Sequence, residues 1–198
     1  MGMGKTNAKS SARQRLLDTA EQLFYAEGVR AVGIDRIIAE ADVAKTTLYS
    51  HFPSKDDLIL AVLEKREADV DNMFDKSIQK SVKNGGTRLE GFFLALKKWF
   101  QESKFRGCSF INAAVELADP QHPASQFSSA HKQRFHARIE EIIAEDYSPS
   151  LAKVVAPAIS LLVEGAIVTA QLEGSPITAD TARVATYQMI ETVKSEQS

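Results

Sequence analysis

The chain has 198 residues, 44% of them apolar and 25% charged, with a formal net charge of −2. These values exclude disordered, collagen-like and disulfide-rich classes, and the length suits a small domain joined to a larger one. The single cysteine, Cys108, cannot form an internal disulfide, and no apolar h-region stands near the N-terminus, so a cytoplasmic setting is expected.

Apolar residues recur at helical spacing almost throughout, and sustained period-2 alternation is missing, so the fold is expected to be all-α. Leu16, Ala20, Leu23 and Phe24 form the stripe of a first helix, which Gly28 ends as a C-cap. A second helix is predicted over Ile34–Ala41, with Asp35 in its first turn, where a carboxylate suits the dipole. Asp42-Val43 then makes a tight turn into a third helix at about 44–52. Pro53 stops that helix, and Ser54 caps a long fourth helix, with Asp57 at the capping-box position. This helix runs to about Lys83, where Asn84-Gly85-Gly86 breaks it before a second capping box, Thr87 and Glu90. Further helices are expected at about 108–118, from Pro123 to about Asp146, at 149–172 and at 178–195.

Charge is unevenly distributed. Residues 1–55 carry eight Lys or Arg against six acids, a net of +2, while the remainder carries −4. The first fifteen residues include Lys5, Lys9, Arg13 and Arg15 and no acid, which suits either an arm along a phosphate backbone or a solvated basic tail.

Two short helices joined by a tight turn, with a supporting helix before them, make a candidate helix-turn-helix whose second helix can enter the major groove. In that helix Val43, Leu48 and Phe52 point inward, and Lys45, Thr46, Thr47, Tyr49, Ser50 and His51 form a polar face suited to phosphates and base edges. The same segment resembles the TetR (AcrR) family of bacterial transcriptional regulators. The matching residues are Ala20-Glu21-Gln22-Leu23-Phe24, Gly28, Ile34 to Ala41, Val43, and Thr47 through Leu58.

The resemblance implies a flexible basic arm at 1–10, a three-helix DNA-binding domain at 11–55 with its helix-turn-helix at about 34–53, and a ligand-binding and dimerisation domain at 56–198, about nine helices in all. It also implies a homodimer on double-stranded operator DNA, acting as a repressor that a small-molecule effector releases. Lys45, Thr46 and Thr47 would approach base edges, Tyr49, His51 and Lys55 would hold phosphates, and Arg36 would assist from the second helix. Asp42 stands where the family usually has glycine. Ser50 replaces what is often a larger side chain, so its base contact is absent or water-mediated. Tyr49 and His51 could instead pack structurally.

Eight of the ten phenylalanines lie between Phe74 and Phe135, near Trp99, and read either as core or as the wall of an apolar pocket. The candidate lining is Phe74, Phe93, Leu96, Trp99, Phe100, Phe110, Asn112, Phe127, His131, Phe135, Ile167 and Gln171, with Glu116 as a further polar candidate. Cys108 reads as a core thiol or as a redox sensor at a helix N-terminus beside Lys104 and Arg106. The run Val154–Leu172 is long enough to cross a bilayer, but Glu164 sits at its centre and no basic flank anchors it. It is assigned, with the last helix and its Ala182, Ala185, Met189 and Val193, to the dimer interface, with Ala166 and Ile167 facing the partner and no membrane involved.

An enzyme is the rival class. The residues three before His51, His122, His131 and His136 are Leu48, Asp119, Ser128 and Gln133, so the Glu-x-x-His pairs of a di-iron bundle are missing. No nucleophile, base and orienting group fall together, and no metal or cofactor is expected.

Overall fold

The computed structural model describes residues 11–196, so the basic arm expected at 1–10, with Lys5 and Lys9, lies outside the described residues. Among these the chain is all helical: α1 (Ala12–Glu27), α2 (Ile34–Ala41), α3 (Lys45–His51), α4 (Lys55–Lys83), α5 (Arg88–Phe100), α6 (Ser109–Leu117), α7 (Pro123–Asp146), α8 (Pro149–Glu173) and α9 (Ile177–Glu196).

Caps set most of these boundaries. Ser11, Ser54 and Ser148 each accept a backbone N–H from the residue three positions on, satisfying one of the donors that a helix start leaves free. Thr87 and Glu90 close a full capping box on α5. A carboxylate from far along the chain adds to it, since Asp146 accepts from the backbone N–H groups of Arg88 and Leu89 at 3.1 and 2.7 Å. Gly28 and Gly174 end α1 and α8 at positive φ. Pro157 lies inside α8 and removes the hydrogen bond to the Lys153 carbonyl, but Lys153 is exposed, so water can satisfy that group.

Helices α1–α3 pack around Leu16, Ala20, Ile37 and Leu48, all shielded from solvent. α4 leaves this cluster and continues for 29 residues, about 44 Å at the helical rise. Its first turns bury Leu58, Ile59 and Val62, and its second half buries Val70 and Phe74. α5 packs on α4, α7 on α4 and α8, and α9 on α8 and α5. Phe74 and Phe92 stack at 4.8 Å between ring centroids, with Phe135 at 5.7 Å from Phe74, so the aromatic run makes the centre of the second core.

Leu48 is the only fully buried side chain of α3, so the orientation of that helix depends on it. Leu48→Ala is expected to cost about 2–5 kcal/mol of stability, seen in urea titration as a lower midpoint at constant slope. A midpoint equal to the parent's would contradict this packing.

Candidate nucleic-acid interface and regulatory cavity

The turn between α2 and α3 is a Schellman arrangement with aspartate in the glycine position. Asp42 adopts the left-handed conformation (φ 51°, ψ 60°), its N–H donates to the Ala39 carbonyl, and the Val43 N–H donates to Ile38. Ile38 and Val43, the pair such a motif brings together, both pack against the core. Arg15 completes the turn from α1, donating through Nε to the Ala41 carbonyl at 3.1 Å and through Nη2 to that of Asp42 at 3.2 Å. Arg13 lies over the Phe52 ring at 5.2 Å. Arg15 thus satisfies carbonyls that a helix end leaves free, a role other than the expected phosphate contact, while Arg13 remains exposed beside the end of α3.

The turn presents the outer face of α3. Lys45, Thr46, Tyr49, Ser50 and His51 are exposed and Thr47 is half-buried. Tyr49 is 43% exposed, so its ring stands out from the surface instead of packing inward. The Ser50 hydroxyl donates to the Thr47 carbonyl at 2.8 Å, leaving it only acceptor capacity toward a partner. His51 is exposed, with its ring 6.4 Å from that of Phe52.

The cations of this face have partners. Lys45 meets Asp35 at 3.1 Å, and that contact raises its pKa. Arg36 is bonded to Glu27 and to Glu40, and both carboxylates hold it charged. Lys55 is half-buried, and burial pushes its pKa down while Asp56 and Glu116 act in the opposite direction.

The aromatic candidates separate into groups. Phe74, Trp99, Phe110, His131, Phe135 and Ile167 come together, with Val70 and Cys108, around a cavity of about 20 Å³. Phe93, Leu96 and Phe100 are buried elsewhere in the core: Phe93 meets Phe92 edge-on at 5.5 Å, and Phe100 meets Phe105 at 5.0 Å. Asn112 lines a separate cleft among α1, α4 and α6 and donates to the Arg106 carbonyl at 2.9 Å. Phe127 is half-buried, 6.4 Å from Phe110. Gln171 is exposed and lies over Gly107. The His131 ring stacks on Phe110 at 3.5 Å and meets Glu67 through Nδ1 at 2.8 Å. Burial lowers the His131 pKa, against the Glu67 hydrogen bond that raises it. Cys108 is a buried free thiol. No group of three or more His, Cys, Asp or Glu among the described residues could hold a metal ion.

Glu67 beneath His131 and Tyr25 at the domain junction had no local sequence signal as site residues, and Arg15 and Glu116, read as arm and pocket candidates, take other roles at the turn and at the junction. Their partners lie 26 to 86 positions away.

Residues 16–62 match the family model for bacterial regulatory proteins of the tetR family. The transcriptional repressor NemR of Escherichia coli K12 is 25% identical over 114 residues, 57% of each chain. The transcriptional activator FasR of Mycolicibacterium smegmatis is 40% identical over 70 residues, 35% of this chain and 31% of FasR. The chain thus spans little more than half the length of NemR and a third of that of FasR. The solved structure of SCO4454, a TetR-family transcriptional regulator from Streptomyces coelicolor, superposes with a TM-score of 0.77 at 32% identity, covering 92% of this chain and 95% of that one.

The Asp35–Lys45 pair yields a test. Asp35→Asn removes a carboxylate beside the exposed face and frees Lys45, at a cost of about 0.3–1 kcal/mol to the α2 dipole. Duplex DNA should bind more tightly in fluorescence anisotropy at low salt, with the gain shrinking as salt rises. Unchanged or weaker binding would place Lys45 outside the interface.

Proposed function

The chain belongs to the TetR family of bacterial transcriptional regulators, and from that premise we propose that it is a homodimeric repressor released from its operator by a small apolar or amphipathic molecule. The observation that carries the DNA-binding part is the polar face of α3, held outward by one buried leucine and a Schellman turn. On this reading residues 11–55 form the DNA-binding domain and 56–198 the regulatory one. Lys45, Thr46 and Thr47 approach base edges in the major groove, while Tyr49, His51 and Lys55 hold phosphates. Ser50 serves as an acceptor only. Arg36 exchanges its carboxylate partners for a phosphate. A regulator of this kind works in the compartment that holds the DNA, the cytoplasm.

A seam on α8 and α9 supports the dimer. Ten large apolar residues are exposed among the described residues, and six of them, Val154, Leu161, Val168, Leu172, Ile177 and Val184, lie on or at the start of these two helices. On α8 the positions 154, 161, 165, 168 and 172 repeat with the spacing of a coiled-coil seam, Gly165 leaving room for close approach. α8 alone among the described helices is long and apolar enough to cross a membrane, and half of its most apolar window is buried within the protomer. A partner's α8 and α9 would cover the rest as a four-helix interface. Ile167 is 2% exposed and lines the cavity, so it faces its own protomer, and Leu161, 72% exposed, takes its place as the interface probe.

The cavity supports the effector. At about 20 Å³ it is far below the roughly 300–1,000 Å³ of a small-molecule pocket, so a ligand must part the helices around it. Two of its walls, Val70 and Phe74, are on α4, which begins beside α3. A ligand that prefers the parted state therefore disfavours the spacing that fits DNA.

Two experiments test these parts. Lys45→Ala and Tyr49→Ala should weaken binding to DNA from upstream of the gene without changing the helical circular dichroism, and His51→Ala should weaken binding to all sequences alike. Binding equal to the parent's across several salt concentrations would remove α3 from the interface. Leu161→Arg should give a monomer in sedimentation velocity at micromolar concentration, because an unpaired charge would be buried at the seam. A dimeric variant of normal stability would move the interface elsewhere.

A further inference from the structure

α4 is not the only link between the two halves. The stretch 106–122, which contains α6, is tied to the DNA-binding domain at two points and to the start of α4 at a third. The Tyr25 hydroxyl, near the end of α1, accepts from the Arg106 N–H at 2.8 Å and donates to the Gly107 carbonyl at 3.0 Å. At the far end of α6, Glu116 accepts from the Arg30 backbone N–H at 3.2 Å, and the Arg30 guanidinium donates to the Leu117 carbonyl at 2.7 Å. His122 meets Asp56, in the first turn of α4, at 3.3 Å.

The backbone around these ties has little freedom. Gly28 takes a φ of 97°, and a Cβ there would strike the Glu116 carboxylate. Gly107 takes a φ of 75° and lies under the Gln171 side chain. A shift of the 106–107 loop must therefore carry Tyr25 with it or break both of its hydrogen bonds.

The Tyr25 side also reaches the cavity. Trp99 lines that cavity, and its indole N–H is buried without a hydrogen-bond partner. Phe105, one residue before the Arg106 N–H that Tyr25 holds, meets the Trp99 ring edge-on at 5.2 Å, and burial raises the pKa of the Tyr25 phenol. The Arg66 guanidinium covers the Tyr25 ring at 5.4 Å, closing the other side. Cavity wall, indole, Phe105, the Arg106 peptide, phenol and α1 are thus joined in sequence.

We infer that Tyr25 is a positioning residue, which fixes the DNA-binding domain on the regulatory half through the Arg106–Gly107 peptide and couples its orientation to Trp99. The inference rests on the proposed function and adds to it a route through α1 and α6 beside the one through α4.

Trp99 is the chain's single tryptophan, so emission excited selectively at the red edge of indole absorption, where tyrosine hardly absorbs, reports this site alone. The full-length protein is titrated with duplex DNA from upstream of its gene, with binding followed separately by anisotropy of a labelled copy. Saturation should change the Trp99 emission of the parent. Tyr25→Phe keeps the ring under Arg66 and should keep the circular dichroism, yet lose the emission change and bind DNA on the order of 5-fold more weakly. Glu116→Gln retains an acceptor for Arg30 and should behave like the parent. Emission that ignores DNA in the parent, or an unchanged response in Tyr25→Phe, overturns the inference.

Hydrogen exchange without DNA gives an independent arm. Tyr25→Phe should speed exchange at the Arg30 amide as well as at Arg106, since both belong to one clamp. Acceleration confined to Arg106 overturns the inference. A parent that binds no duplex overturns the proposed function instead, and the exchange result then decides the clamp.

Discussion

The continuity of α4 is the constraint on which the rest of the molecule depends. One unbroken helix contributes Leu58, Ile59 and Val62 near the DNA-binding helices and Val70 and Phe74 to the regulatory core. A helix of this length bends only gently unless something interrupts its hydrogen-bond ladder, and α4 contains neither proline nor glycine. The two cores therefore cannot rearrange independently. Displacement of Phe74 at one end has to be absorbed at Leu58 and Ile59, or passed through them to the recognition helix.

The outer surface obeys a second constraint, that its cations are already engaged. Arg36 sits between two carboxylates, Lys45 beside one, Arg15 on the carbonyls of the turn, and Arg13, itself exposed, over the Phe52 ring. Exposed pairs of this kind add little to stability, so exchanging a carboxylate for a phosphate costs little. What the pairs do supply is position: Lys45 is held beside α2, at the exposed face of α3. The same economy appears along α4 and α7, where Glu67, Asp71 and Asp75 face Arg134 and Arg138, so two long helices are registered by charge as well as by packing.

The DNA-binding helices could be read from sequence because their signals are local. The turn at Asp42-Val43, the cap at Ser54 and the box at Thr87 and Glu90 each involve residues within five positions of one another, and each appears in the structure. The cavity could not be read this way. α5 buries Leu89, Phe92, Phe93, Leu96, Trp99 and Phe100, and when most faces of a helix are apolar, periodicity cannot say which one meets a cavity. The same ambiguity put Ile167 of α8 both in the pocket lining and at the dimer seam, and the structure turns it inward to the cavity and leaves Leu161, Val168 and Leu172 outside. Tyr25 was hidden and Glu116 was read only as a pocket residue for another reason, since their roles exist only once residues more than 80 positions apart have met.

The central claim is that two copies of α3, held at a fixed spacing by the α8–α9 seam, read duplex DNA. Selection of binding sites from a pool of random duplexes tests it most directly. The account predicts enrichment of a near-palindrome whose half-sites are separated by about one helical turn of DNA or a multiple of it. Enrichment of a lone half-site, or of no sequence at all, would contradict it.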